Sequence, residues 1–245
     1  MSTSGAPGAR PDVELQRRID DYWDHRARVY DEAQHRGGRD AVDRDLWGRV
    51  WAAALPPAPA RVLDLGTGTG HAAFVLASLG HEVTGLDSSA GMLEIARAHA
   101  EGAAASGPVP TFVLADACDP ELDDDAVDVV ASRYLMWTLR EPLEALRRWR
   151  RLLRPGGVLA LVDSTWFDMG LEGSPPEFIE SYGEVMGELP LATAGSIEAT
   201  AELVRAAGFS HVTTTPLREV LAADRRLGVA PGHRPRLQYL VRGVA

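Results

Sequence analysis

Residues 61–70, Arg-Val-Leu-Asp-Leu-Gly-Thr-Gly-Thr-Gly, constrain the fold more than any other part of this 245-residue chain. An apolar run with β-propensity over 62–65 ends abruptly in glycines at positions 66, 68 and 70. Glycine has no Cβ and accepts positive φ, so the backbone here can approach a ligand closely. Residues 71–79 then carry apolar side chains at helical spacing. The pattern predicts a strand, a ligand-binding turn and the start of a helix.

Two classes of cofactor fit a strand, a glycine turn and a helix: dinucleotides and S-adenosylmethionine. The dinucleotide fingerprint G-x-G-x-x-G needs a third glycine so that a pyrophosphate can sit on the helix N-terminus. Counted from Gly66, that position is His71, which argues against a dinucleotide. The spacing here is G-x-G-x-G, and Asp64 precedes it at the end of the strand. It resembles the first motif of the class I S-adenosylmethionine-dependent methyltransferases.

Strands and helices alternate after this motif. Strands are predicted over 62–65, 82–87, 111–114, 127–131 and 158–163, and helices over 71–79, 90–100 and 142–153. Such alternation indicates a doubly wound, mostly parallel α/β sheet that binds its ligand at the carboxyl ends of the strands. A helix over 196–207 and strands near 209–215 and 236–242 complete the chain, with a flexible surface loop predicted over 221–235. The resemblance implies a Rossmann-like sheet of seven strands whose last strand is antiparallel.

The chain divides into three predicted parts. Residues 1–11 are small, polar and rich in Pro and Gly, which is typical of a disordered tail. Residues 12–55 show helical periodicity and lead into a Pro-rich linker, and the resemblance makes them N-terminal lid helices. Residues 56–245 form the methyltransferase domain. Within it, residues 164–195 break the alternation with aromatic residues and glycines, and we expect them to cap the substrate as an irregular segment with one short helix.

The composition limits which kinds of partner the protein is expected to bind. The net charge of −10 repels nucleic acid and anionic membranes, which favours a small-molecule substrate over either. Cys118 is the only cysteine and the histidines lack a spacing such as H-x-x-x-H, so no disulfide within the chain and no metal are expected. No apolar stretch reaches about 18 residues and no signal pattern is present. We therefore predict a cytoplasmic protein, either a monomer or a homodimer.

Polar residues follow the next three strands at the positions where S-adenosylmethionine needs them. Asp87 ends the second strand, and its carboxylate can accept hydrogen bonds from both ribose hydroxyls. Asp116 follows the third strand, where it and the Ala117 backbone can address the adenine ring. Ser132 and Arg133 follow the fourth strand, under the methionine part of the cofactor. These positions strengthen the prediction of an S-adenosylmethionine site.

Three segments resemble the ubiquinone/menaquinone-biosynthesis branch of this family: Tyr-Trp-Asp-His-Arg-Ala-Arg-Val-Tyr at 22–30, Ser-Arg-Tyr-Leu-Met-Trp-Thr-Leu-Arg-Glu-Pro at 132–142, and Leu-Arg-Pro-Gly-Gly at 153–157. The resemblance covers about residues 20–163. It implies a lid helix whose residues at 22, 26 and 30 fold over the cofactor, with S-adenosylhomocysteine as the product. The predicted cofactor-binding residues are Tyr22, Arg26, Tyr30, Asp64, Gly66, Thr67, Gly68, Gly70, His71, Asp87, Ser88, Met92, Asp116, Ala117, Ser132 and Arg133.

Methyl transfer needs little acid–base chemistry, because the sulfonium already activates the methyl group. Catalysis is then mostly positioning and desolvation, with a base where the nucleophile must lose a proton. Two alternatives stay open: a non-catalytic S-adenosylmethionine-binding protein and a nucleotide-cofactor dehydrogenase. By analogy, a composition rich in Ala and Arg and poor in Lys points to a high-GC bacterial enzyme of secondary metabolism. The sequence does not single out the base, and the candidates are Tyr134, Asp163, Tyr182, Glu184 and His71.

Overall fold

The computed structural model describes residues 13–105, 107–172, 174–183, 185–229 and 234–245. The tail predicted over 1–11 and the candidate base Glu184 lie outside the described residues. The helices are α1 (Val13–Gln34), α2 (Arg39–Ala54), α3 (His71–Ser78), α4 (Ala90–Ala103), α5 (Pro142–Leu152), α6 (Pro176–Tyr182), α7 (Glu198–Ala206) and α8 (Arg218–Leu227). The strands are β1 (Arg61–Leu65), β2 (Glu82–Asp87), β3 (Thr111–Leu114), β4 (Val127–Arg133), β5 (Leu153–Asp163), β6 (Ser210–Pro216) and β7 (Tyr239–Val244).

The seven strands form one sheet in the order β3-β2-β1-β4-β5-β7-β6. Strands β1 to β5 pair in parallel, and β7 runs antiparallel to both β5 and β6. The strand order reverses between β1 and β4, so the connections after these two strands diverge and leave a crevice at their carboxyl ends. The predicted doubly wound, mostly parallel, seven-stranded sheet is confirmed.

Both faces of the sheet are covered, as its apolar strands require. Along β5, Val158, Ala160 and Val162 pack on the face that α2, α3 and α8 cover. Leu159 and Leu161 point to the other face, against α5 and α7. This alternation follows from the period of two in a strand. It gives the domain a core on each side of the sheet and holds the strand ends rigidly in place.

Helix α2 is part of the main core. Trp47 and Trp51, one turn apart on α2, are both fully buried in the cluster that covers one face of the sheet. The lid role predicted for residues 12–55 stays a prediction, and within this range α2 contributes two large aromatic side chains to the core.

The surface loop predicted over 221–235 is wrong in its first half, because α8 occupies residues 218–227. Val220 and Ala223 are buried on its inner face, and the neighbouring Asp224 is buried as well. Val220, Ala223 and Leu227 follow helical spacing, and this is the signal in the sequence that indicates the helix. Strand β7 also begins later than predicted, at Tyr239.

An aromatic cluster joins α1 to the segment over 164–195. That segment is irregular apart from α6 and a short 3-10 turn at Met186–Glu188, as predicted. The rings of Phe178 and Tyr182 on α6 stack with centroids 4.7 Å apart, and Tyr22 of α1 packs edge-on against both. The cluster holds α1 and the irregular segment together above the sheet. In the part of the chain that the structure describes, no helix is long and apolar enough to span a membrane.

Candidate active site

A cavity of about 280 Å³ lies at the carboxyl ends of the parallel strands. Its wall follows the order of the strands across the sheet, from the residues after β3 to those before β7. The half beside β1, β2 and β3 includes Gly66, Gly68, Asp87 and Asp116. The half beside β4, β5 and β7 is lined by Tyr134, Leu135, Trp166, Phe167, Met169, Arg236 and Gln238. Helix α1 adds Gln16, Ile19, Trp23, Tyr30, Ala33 and Gln34.

The glycine turn over residues 66–70 exposes its backbone at the cavity without side chains at the three glycines. All three glycines have positive φ, +65° at Gly66, +56° at Gly68 and +91° at Gly70. A Cβ built on Gly66 would lie 2.8 Å from the side chain of Leu135. The Asp64 carboxylate lies beneath the turn and accepts a hydrogen bond from the Thr67 hydroxyl at 2.7 Å. Burial raises the pKa of Asp64 to about 7, and this residue holds the turn in shape from below instead of facing the cavity.

Substituting Gly66 with alanine is expected to destabilise the fold by about 1–3 kcal/mol, because an L-residue is strained at positive φ and its Cβ would clash with Leu135. Gly48→Ala is the matched control, since Gly48 lies inside α2 with nothing within 4 Å of a built Cβ. Alanine there should stabilise the helix by about 0.5–1 kcal/mol. Urea unfolding of both variants measures the difference, and equal effects would contradict it.

Asp87 ends β2 with its carboxylate fixed at the cavity wall. Its Oδ2 accepts a hydrogen bond from the Gly68 amide at 2.8 Å, and its Oδ1 accepts one from the Ser89 amide at 2.9 Å. Burial raises the pKa of Asp87 to about 6, while these amide donors oppose the rise. The group is therefore mostly ionised at neutral pH. Ser88 and Met92 flank it and also line the cavity, and Ser89 caps α4 through a bond from the Met92 amide.

The residues after β3 form the end wall of this half. Asp116 accepts hydrogen bonds from the Cys118 amide at 2.8 Å and from Arg140 at 3.2 Å. The Ala117 carbonyl accepts one from the Trp149 indole at 2.7 Å. Asp116, Ala117 and Cys118 all line the cavity. Burial, with the nearby Asp116 charge, raises the pKa of Cys118 to about 12, so this thiol stays protonated.

Arg133 brings a cation to the cavity from the end of β4. Its guanidinium lies 5.0 Å from the Trp47 ring centre and 4.7 Å from that of Tyr134, and it donates to the Gln34 side chain at 3.1 Å. A small recess beside it is lined by Tyr30, Gln34, Gly66, Thr67, Gly68, Thr69, His71, Ala72 and Arg133. Burial, helped by the Arg133 charge, lowers the pKa of His71 to about 4, so the imidazole is neutral at pH 7.

Ser132, Tyr22 and Arg26 lie away from the cavity wall. The buried Ser132 hydroxyl donates to the Leu65 carbonyl at 2.8 Å and ties β4 to β1. Tyr22 and Arg26 point toward α6, where Arg26 lies 3.9 Å from Glu177. Of the three α1 residues that the resemblance assigns to the cofactor, only Tyr30 lines the cavity. Tyr22 and Arg26 lie on the part of α1 that contacts α6, whereas Tyr30 lies one turn further along the helix.

The structure weakens the case for most of the candidate bases. The Tyr134 hydroxyl donates to the Gln238 side chain at 2.5 Å, and burial raises the pKa of Tyr134. Burial likewise raises the pKa of Tyr182, which lies in the aromatic cluster with its hydroxyl 2.9 Å from the Trp23 indole. Asp163 is buried behind Trp166, whose indole donates to it, and burial raises the pKa of Asp163 to about 7. Neither Tyr182 nor Asp163 lines the cavity.

A buried polar network beside the cavity was not predicted. Arg39 at the start of α2 binds Asp43 at 2.7 Å and Asp224 of α8 at 2.5 Å. Gln238 donates to Asp224 at 2.8 Å and accepts from Tyr134. The sequence did not predict this network, because Asp224 falls in a segment that was predicted to be a surface loop. The i,i+4 spacing of Arg39 and Asp43 is the signal that the sequence did contain.

Comparison with known proteins gives the family. A family model described as "Methyltransferase domain" matches residues 63–161. Demethylmenaquinone methyltransferase from Clavibacter sepedonicus is 31% identical over 205 residues, which cover 77% of this chain and 81% of that protein. The chain belongs to the class I S-adenosylmethionine-dependent methyltransferases, and to their menaquinone and ubiquinone type. It is an enzyme that transfers a methyl group from S-adenosylmethionine to a small molecule.

Solved structures share the fold over 97% of the chain. The cyclase SpnF has a TM-score of 0.71 with 18% sequence identity, and the match covers 97% of this methyltransferase and 98% of the cyclase. Phosphoethanolamine N-methyltransferase 2 from Haemonchus contortus, in complex with S-adenosyl-L-methionine, has a TM-score of 0.65 with 18% identity over 97% of this chain and 60% of that one. The family excludes the dehydrogenase alternative.

The residues at the cavity fit S-adenosylmethionine by their chemistry. The glycine turn leaves room for a ligand, because a Cβ on Gly68 would meet only the Met92 sulfur, at 3.9 Å. An ionised carboxylate, Asp87, suits a ribose diol, and a cation, Arg133, suits a carboxylate at the other end of the ligand. When bound, the sulfonium supplies an activated methyl group. The chain must then hold the acceptor in line with that methyl group and exclude water.

Proposed function

We propose that this methyltransferase acts on a small acceptor with an aromatic or planar apolar body, held in the cavity half beside β4, β5 and β7. The observation that carries the proposal is one continuous cavity that joins the glycine turn and Asp87 to an aromatic wall. A methyl group held in one half can then reach an acceptor held in the other. Helix α1 and the segment over 164–195 also contribute residues to the wall of this cavity.

In the cofactor half, we assign each polar residue one task. Asp87 accepts hydrogen bonds from the ribose hydroxyls through the lone pairs that Gly68 and Ser89 leave free. Asp116 and Ala117 lie at the end wall of this half and contact the adenine ring. Arg133 binds the methionine carboxylate, because its guanidinium lies in the recess beside the glycine turn. Tyr30, Gln34 and neutral His71 complete that recess.

The acceptor half supports an apolar, planar ligand. The rings of Tyr134 and Trp166 meet edge-on at 5.0 Å, and those of Phe167 and Trp137 meet at 5.1 Å. Met169 stands at the wall with 81% of its surface exposed. Aromatic walls with a few fixed polar groups bind flat apolar molecules and orient them. Arg236, paired with Asp168 at 2.6 Å, provides the fixed polar edge.

The polar groups beside this half favour an acceptor that is itself acidic. Tyr134 donates its hydrogen to Gln238, and Asp224 is engaged by both Arg39 and Gln238. Neither is free to take a proton from a substrate. We therefore assign the acceptor to the phenols or enols, whose oxygen or adjacent carbon becomes nucleophilic without a strong base. Demethylmenaquinone, named in the Clavibacter relative, is one compound to test.

A methyl-transfer assay with labelled S-adenosylmethionine tests the proposal against a panel of phenols, enols and quinols, with RNA and protein fractions as the contrasting acceptors. Phe167→Leu is expected to raise the acceptor KM about 3- to 10-fold, which corresponds to the free energy of one aromatic contact. The Kd of S-adenosylhomocysteine should stay unchanged. Phe74→Leu is the control, because Phe74 is half-buried but lies outside the cavity wall. Turnover with RNA or protein alone, or equal effects of the two variants, would contradict the proposal.

A role in secondary metabolism, a cytoplasmic location and a monomeric or homodimeric state also remain proposals. The first rests on composition and analogy. Gel filtration with light scattering decides the oligomeric state.

A further inference from the structure

We propose that Asp31, His35 and His99 form a binding site for a divalent transition-metal ion, such as Zn²⁺, that clamps α1 to α4. The three residues come from two parts of the chain: Asp31 lies on α1, His35 directly follows that helix, and His99 lies on α4. One ligand atom from each falls within 4.8 Å of the others. The sequence did not predict this site, because the spacing of the histidines along the chain is uninformative.

The distances suit a small metal ion. The Asp31 Oδ1 atom lies 2.9 Å from His99 Nε2 and 3.5 Å from His35 Nδ1. Ligand atoms around a tetrahedral zinc, at bond lengths of about 2.0–2.1 Å, are about 3.3 Å apart. Small side-chain movements would therefore bring all three atoms to bonding distance. Two imidazoles and one carboxylate, with water in the fourth position, form a common zinc ligand set.

A second carboxylate is placed to orient one of the ligands. Asp40 Oδ1 lies 3.8 Å from His35 Nε2, whereas Asp31 lies at Nδ1 of the same imidazole. When His35 Nδ1 binds a metal, its proton resides on Nε2 and faces the Asp40 carboxylate. Such carboxylate–histidine–metal arrangements fix the tautomer and the ring orientation. In the structure His35 Nδ1 instead lies 2.8 Å from the Asp31 carbonyl, and this contact gives way to the metal.

The site is open enough for an ion to enter. The side chains of His35 and His99 are 45% and 38% exposed, and that of Asp31 is 17% exposed. The two imidazole rings face each other with centres 5.1 Å apart and an angle of 41° between their planes. A metal ion with two imidazole ligands from different elements would cross-link those elements. Here the linked elements are α1, which lines the cavity, and α4, which follows Asp87.

The clamp would act on an existing contact between α1 and α4. Nearer the start of α1, Asp24 accepts hydrogen bonds from the Ser89 hydroxyl at 2.6 Å and from the Gly91 amide at 2.8 Å. A metal at residue 31 adds a second attachment near the end of α1, close to Tyr30 and Gln34 at the cavity wall. Metal binding should therefore stabilise the folded protein, since the unfolded chain does not present the three ligands together.

Isothermal titration of the tag-free full chain with ZnCl₂ tests the site. We expect one site with a Kd in the micromolar range or below, and a rise of a few degrees in Tm at saturating zinc. His35→Ala and His99→Ala should each weaken binding at least 10-fold and remove the Tm rise. His25→Ala is the matched control, because His25 is an exposed histidine on α1 outside the cluster, and it should bind zinc like the wild type.

Co²⁺ in place of Zn²⁺ gives a second readout, since a tetrahedral site with these ligands produces visible absorption bands that the His35→Ala variant should lose. His35 is exposed, so this variant is expected to fold even if His99→Ala does not. No saturable zinc binding by the wild type would overturn the proposal. Binding that survives both substitutions, or that His25→Ala removes, would overturn it equally.

Discussion

Asp87→Ala is expected to weaken the binding of S-adenosylmethionine and S-adenosylhomocysteine at least about 100-fold. Two hydrogen bonds from ribose hydroxyls to a charged acceptor contribute about 1.5–3 kcal/mol each, and about 1.4 kcal/mol corresponds to a factor of ten. The loss also frees the Gly68 and Ser89 amides, which the carboxylate holds at 2.8 Å and 2.9 Å. The glycine turn and the start of α4 then lose a common anchor. Both effects act on the same half of the cavity.

Isothermal titration with both ligands, and with NAD as the negative control, measures the change in affinity. Glu82→Gln is the matched control, because Glu82 begins the same strand, is exposed and lies at the opposite end from the cavity. We expect its affinity to equal that of the wild type. Unchanged binding in Asp87→Ala would contradict the assignment of the ribose to this residue, though not the family.

The pH dependence of binding follows from the same carboxylate. Burial raises the pKa of Asp87 to about 6, so the group takes up a proton as the pH falls through that value. A protonated carboxyl offers fewer acceptor sites to a diol. Affinity for S-adenosylhomocysteine should therefore be constant above about pH 7 and decline below about pH 6. A constant affinity from pH 5 to pH 8 would contradict this account.

Arg39→Leu is expected to lower the free energy of unfolding by about 3–5 kcal/mol, the usual cost of removing one member of a buried ion pair. Arg39 is the cation shared by Asp43 and Asp224, and each of these residues is only 2% exposed. Leucine restores apolar volume but leaves two carboxylates buried without their arginine. The guanidinium also donates to the Gly228 carbonyl at the end of α8, and this bond is lost as well.

Arg49→Leu is the matched control for this substitution. Arg49 also lies on α2 and also pairs with one residue on α2 and one on α8, Asp45 and Glu219, but it is 56% exposed. Exposed ion pairs contribute about 0–1 kcal/mol, so urea unfolding should separate the two variants clearly. Equal effects would show that the burial of the Arg39 network does not govern its contribution.

The effect of Arg39→Leu should depend on pH in a definite direction. Burial already raises the pKa of Asp224, and removing Arg39 removes the strongest of the interactions that oppose this rise. A folded-state pKa above the unfolded value means that the folded variant binds more protons, so its stability relative to the wild type improves as the pH falls. The stability difference should be smaller at pH 5 than at pH 8. Adding Asp224→Asn to Arg39→Leu should recover part of the loss at pH 8.

The sequence alone determined the sheet and the half of the cavity beside β1, β2 and β3. The period of two in the strands, the glycines at 66, 68 and 70 and the polar residues that follow each strand are all local signals. Parallel strands bring their carboxyl ends to one edge, so the positions of Asp87 and Asp116 along the chain are enough to place both residues at the cavity. The turn at residues 66–70 is similarly local, because positive φ favours glycine wherever it occurs.

Only the tertiary structure decided which helix faces the cavity and which residues meet across it. Tyr22 and Tyr30 both belong to α1, yet one packs on α6 and the other lines the cavity. Arg39, Asp224 and Gln238 come from distant parts of the chain, as do Asp31 and His99. Such contacts depend on how helices dock on the sheet. Packing between distant segments leaves no periodic signal along the sequence, so no local pattern could have placed them.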